Sequence, residues 1–192
     1  MTKTLIDTQK SINDFLTEAN TCALQKLGFA AMLIVFPVIL SVSEALERAK
    51  APSSAGQSYP DKDLFKEFVP RMADNSWLVL RDPNSSLSNQ DIAIDLSNVR
   101  DDLAHQLSLP KHIGMINIKS EAKEYFKDHP GIARVISVLE FVQEVSRTVD
   151  SVIKMYPTVP FDPNPKGNPR SPAEQVFLSS TMSSASSPRQ AG

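Results

Sequence analysis

Between Leu27 and Leu40 the chain runs LGFAAMLIVFPVIL, 14 residues without one polar side chain. Such a segment leaves water in one of two ways, by crossing a membrane or by being covered on nearly all sides by the rest of the chain. A span needs about 20 apolar residues, and this run stops at Ser41, Ser43 and Glu44. Basic residues flank both ends, Lys26 before it and Arg48 and Lys50 after, so no orientation across a bilayer is encoded. The run therefore reads as a core helix, with Gly28 and Pro37 marking a kink or a close helix contact. Membrane association is the weaker alternative. Met1 to Asn20 is polar and mixed in charge, which does not fit a secretory signal, and a cytoplasmic location is expected.

Covering that helix sets a demand on the rest of the chain. The 192 residues suffice for one ordinary domain, and 41% hydrophobic against 22% charged residues is a globular balance. Cys22 is the only cysteine, so neither a disulfide framework nor a cysteine-rich zinc site can be built. With a formal charge of −2 the chain has no global attraction to nucleic acid, so any RNA contact has to come from a local basic patch.

Apolar spacing supplies the other helices. Ile12, Phe15, Ala19 and Cys22 share one helical face, predicting a helix from about Thr8 that continues with a bend through the apolar run to Lys50. After the turn-rich APSSAGQSYP, Asp61 caps a short helix, DKDLFKEFV, which Pro70 interrupts. Trp77 to Leu80 is compatible with either an extended stretch or another turn of helix. Ser88 and Asp91 form a Ser-x-x-Asp helix start, and Ile92, Leu96, Val99, Leu103 and Leu107 carry the stripe that follows. A short acidic-basic helix is expected over Glu121 to Asp128. Pro130 then opens the longest stripe, from Ile132, Val135 and Ile136 to Ile153 and Tyr156. No sustained two-residue alternation appears, so the expected class is all-α, a bundle of four or five helices with no sheet. Half of the 14 prolines lie in Pro157 to Gly192, beside a serine-rich end. That divides the chain into a helical domain, 1–156, and a disordered tail, 157–192.

Chemistry is suggested at one place, the helix segment NVRDDLAHQL, in which Arg100 precedes His105 by five positions and Asp101 follows the arginine directly. On a regular helix Arg100 lies at the edge of the apolar stripe and His105 on the polar side, about 140° from the arginine at about 100° per residue. Asp101, one turn before His105, is placed to orient the imidazole. His112 is expected to add charge beside this face, His129 to sit exposed at a helix entry, and Trp77 to be a core or edge aromatic.

The segment resembles the Arg-x(4 to 6)-His signature of the HEPN superfamily, small helical proteins many of which are metal-independent endoribonucleases and toxins. Many members also begin with a very hydrophobic helix ending near an acidic residue, as FPVILSVSEAL does with Glu44. The resemblance implies a HEPN-like endoribonuclease, a hydrolase acting as a toxin or defence effector, with Arg100, His105 and Asp101 as its catalytic residues and no metal or cofactor. It also implies a homodimer whose motif helices form one cleft for RNA, held in check by an antitoxin or regulatory protein. The alternative is a non-catalytic helical module that binds RNA, a nucleotide or a protein.

Overall fold

The computed structural model describes residues 3–50 and 59–161. The chain is predominantly helical: α1 Leu5–Leu24, α2 Gly28–Lys50, α3 Asp61–Phe68, α4 Asn89–Gln106, α5 Ala122–Asp128 and α6 Val138–Met155. Against the expectation of no sheet, the described residues hold three short strands, β1 Leu78–Leu80, β2 Ile113–Ile116 and β3 Arg134–Ser137.

The long helix expected from Thr8 to Lys50 is two helices. At the end of α1 the Leu27 N–H donates to the Cys22 carbonyl (2.8 Å) and the Lys26 N–H to that of Ala23 (3.0 Å). This paired closure is a Schellman motif, and its left-handed position is filled by Lys26, at φ 61°. The reversal lays α2 back along α1, and α2 also packs on α3, α4 and α6. From Ala31 onward the apolar run is thereby largely enclosed, while Leu27 and Phe29 at its start stay exposed: α2 is long and apolar enough to cross a membrane, but 78% of its most apolar window is buried inside the fold. Its one buried carboxylate, Glu44, pairs with Arg48 one turn on, at 2.8 Å.

Aromatic rings knit the centre. Phe36 of α2 meets Phe65 of α3 edge-on at 5.6 Å between centroids, and Phe141 of α6 lies 4.6 Å from Trp77. Trp77 reaches that position because the loop before it is pinned: the buried Glu144 carboxylate accepts the N–H groups of Ala73 (2.7 Å) and Asp74 (3.2 Å).

The sheet has the order β1-β3-β2, with β1 antiparallel and β2 parallel to β3. The parallel pair is joined through α5, a strand-helix-strand crossover. Side chains alternate as the pleat requires. Leu78, Ile113, Met115 and Ile136 face the main core, while Val79, Ile116 and Val135 face α5 with Ala122, Tyr125 and Phe126. A layer of helices, a small sheet and one covering helix result.

Two expectations about the last third of the chain are overturned. The helix predicted from Pro130 begins only at Val138. Pro130 and Gly131 lie in a turn, and Val135 and Ile136, whose spacing also suits a helix, point to opposite faces of β3. The domain also extends past residue 156. Phe161 is buried in the core, its N–H bonds to the Lys3 carbonyl (2.7 Å), and Pro160 bridges to Thr4. An apolar anchor next to prolines was enough to dock this piece beside α1. The disordered tail expected beyond Phe161 lies outside the described residues.

Candidate functional site

Helix α4 starts as its sequence directs. The Asp91 N–H donates to the Ser88 hydroxyl (3.2 Å), while the Ser88 hydroxyl and N–H donate to the Asp91 carboxylate (2.7 and 3.1 Å). Those bonds hold the Asp91 carboxyl below the usual carboxylate range. Ile92, Leu96, Val99 and Leu103 are buried as their spacing predicts. Leu107, the expected last member of the stripe, is exposed and takes a left-handed conformation at φ 50°, ending the helix.

This register decides where the motif residues stand. Arg100 lies at the edge of the packed face with its side chain 14% exposed, and its guanidinium is engaged by Asp61 at the start of α3 (3.1 Å) and by Asp101 (2.9 Å). Asp61, read from sequence as a helix cap, is the first residue of α3, after Pro60 in the capping position. Asp101 is exposed, and its carboxylate turns to Arg100 rather than to His105. His105 sits exposed in the last turn of α4, on a polar stripe with Asn98 and Asp101. Among the described residues its imidazole makes no hydrogen bond or ion pair. The structure thus gathers Arg100, Asp101 and Asp61 and leaves His105 apart on open surface.

A second cluster on α4 was not anticipated. Asp95, 9% exposed at the side chain, pairs with Arg134 of β3 and stands 3.5 Å from His112 Nε2. These groups fasten α4 to the sheet, so His112 belongs to a strut rather than to the motif face. His129 ends α5 instead of opening a helix. Its ring stacks on Tyr125 at 4.2 Å, and its Nδ1 lies 3.0 Å from the Tyr125 carbonyl. Neither partnership could be read from spacing, since Asp95 and Arg134 are far apart in the chain and meet only through the sheet.

Among the described residues, three of the surface grooves lie elsewhere: one between α1 and α6, one at the start of α2, and one beside β1 and α5. None of the three is lined by Arg100, Asp101 or His105. Among the described residues no three side chains of His, Cys, Asp or Glu come together to hold a metal ion. Chemically, the motif face offers an exposed proton-transfer group, an anchored cation and a free surface. No family model matches this chain, and no curated protein or solved structure does so either.

Proposed function

We propose that this chain is a HEPN-like, metal-independent endoribonuclease whose helical part is a HEPN-type bundle and whose active site is completed by a second copy across α4. The observation that supports the reading is His105: an imidazole exposed in the last turn of α4, without a hydrogen-bond or ion-pair partner among the described residues, five positions beyond an arginine on the same helix.

Cleavage requires that the ribose 2′-oxygen attack the adjacent phosphorus while the bond to the 5′-oxygen breaks. One base takes the 2′-hydroxyl proton, one acid protonates the leaving 5′-oxygen, and a cation stabilises the charge building on the phosphorane. One His105 supplies one proton transfer, and the His105 of a second copy supplies the other. Arg100 supplies the cation, its guanidinium able to bind two phosphate oxygens, and Asp101 holds it in place. An antitoxin or other regulatory protein covering the polar stripe of α4 would silence the site.

The test is cleavage of single-stranded RNA by the purified full chain in excess chelator, with 2′,3′-cyclic phosphate ends as the product. His105→Ala should lower the rate about 100-fold or more, and Arg100→Ala should also remove cleavage. Mixing the two inactive proteins should restore little activity, because the hybrid cleft carries only one of the two His105 side chains that the mechanism uses. Cleavage that needs magnesium, or a His105→Ala protein that cuts at the parental rate, would overturn the mechanism.

One observation favours the rival reading of a non-catalytic binding module: Arg100 is already held by two carboxylates. Asp61→Asn separates the two. In a nuclease it loosens the tie of the guanidinium to α3 and leaves cleavage intact or faster; in a module whose arginine only clamps α3 to α4, it lowers stability and nothing else changes.

A further inference from the structure

Helix α5 is too short to cover the whole sheet. Its Ala122, Tyr125 and Phe126 pack over β2 and β3, and beside them the α5-facing side of β1 is left as the floor of a groove of about 550 Å³, reached by Val79, Ala122 and Phe126. The rim is cationic. Lys119, Lys123 and Lys127, all exposed, recur every four residues, so they follow one another at about 6 Å per step along one side. Among the described residues the Lys119 and Lys123 ammonium groups make no hydrogen bond or ion pair, and Lys127 has only the equally exposed Glu124 at 3.8 Å. Arg81 closes the end. Its Nε donates to the Ile132 carbonyl (2.6 Å), its Nη2 to those of Phe126 (2.9 Å) and His129 (2.5 Å), and its guanidinium lies 4.8 Å from the centroid of the Phe126 ring. A planar cation is thus fixed by its edge and backed on one face by an aromatic ring.

The geometry points to this groove as a binding track for single-stranded RNA, an assignment that rests on the ribonuclease reading for the choice of polymer. Cations in a row fit a linear polyanion, whereas a lone phosphate is better met by cations that converge. An apolar floor ending in a backed guanidinium takes the flat faces of unpaired bases, which stack on aromatic rings and on arginine planes. In a chain of net charge −2, this is the local basic surface that an RNA contact needs. The lysines hold the backbone, and Arg81 and the floor hold a base.

The experiment is fluorescence anisotropy of a labelled oligouridylate of about 12 nucleotides with the full-length His105→Ala protein, which binds without cutting. Lys119→Gln, Lys123→Gln and Lys127→Gln combined should weaken binding about tenfold or more and flatten the dependence of log affinity on log salt by roughly 2, at about 0.7 per lost phosphate contact. Lys10→Gln, Lys62→Gln and Lys154→Gln combined, which makes the same charge change on α1, α3 and α6, should change affinity no more than about threefold. Circular dichroism on both variants checks the fold, and Arg81 is kept because it also caps α5. Equal affinity and salt slope in the two variants, or displacement by poly-glutamate as effective as by unlabelled oligouridylate, would overturn the track. The outcomes separate from those of the nuclease test: RNA that the parental chain leaves uncut but whose binding still needs the three lysines keeps the track and rejects the nuclease, while cleavage by the parental chain that is indifferent to them does the reverse.

Discussion

At Gly114 the missing side chain leaves room that another residue uses. A Cβ built there would stand 2.4 Å from a ring carbon of Tyr125, which lies over β2 and stacks on His129. The constraint is spatial rather than conformational, since the backbone there is ordinary strand. Gly114→Ala must push Tyr125 off the sheet or shift α5, and is expected to cost about 1–3 kcal/mol. Urea unfolding followed by the fluorescence of Trp77, the only tryptophan, measures it, and an unchanged midpoint would show that Tyr125 swings aside without loss. Arg100 is a harder residue to read. Its place at the edge of the apolar stripe follows from spacing alone, but Asp61, nearly forty residues earlier, claims its guanidinium, and no local pattern announces a pair formed between two helices.

Helix ends carry the clearest sequence signals here and also the clearest failures. Ser88 with Asp91 starts α4 where the Ser-x-x-Asp pattern places it, because the cap is made by residues three apart. The end of α1 is hidden, because a lysine occupies the left-handed position that glycine usually fills. Lys26→Gly removes that backbone strain and should stabilise the protein by about 1 kcal/mol, seen as a higher urea midpoint; a lower midpoint would show that the lysine side chain contributes more than its conformation costs. Strand β1 takes the extended alternative left open for Trp77 to Leu80, while β2 and β3 were missed for a related reason. LVL, IGMI and the Val-Ile pair of RVIS are short apolar runs, too brief to display alternation, and by periodicity alone such runs cannot be told from pieces of buried helix. The polar face of α4 could be read because 18 helical residues repeat one pattern; the groove beside β1 could not, because it exists only where a short helix falls short of a third strand.

Across the whole molecule, the two ends of the described chain meet. The Leu5 N–H donates to the Val159 carbonyl (2.9 Å), Phe161 is buried, and Thr4 bridges to Pro160. Cutting the chain after Tyr156 is therefore expected to destabilise it by about 3 kcal/mol or more, and Phe161→Ala in the full chain should lose a comparable amount, since a large buried ring is removed in both. Thermal melts of the two proteins beside the parent give the measurement; a truncated protein with the parental melting temperature would mean that the closure adds nothing. The same closure sets an order of events during synthesis. Helix α2 leaves the ribosome early, yet one of its walls is α6, made about a hundred residues later, and the Phe161 that seals α1 comes later still. Until then the nascent chain carries 14 consecutive apolar residues without their full cover, a stretch open to aggregation for as long as that helix must wait.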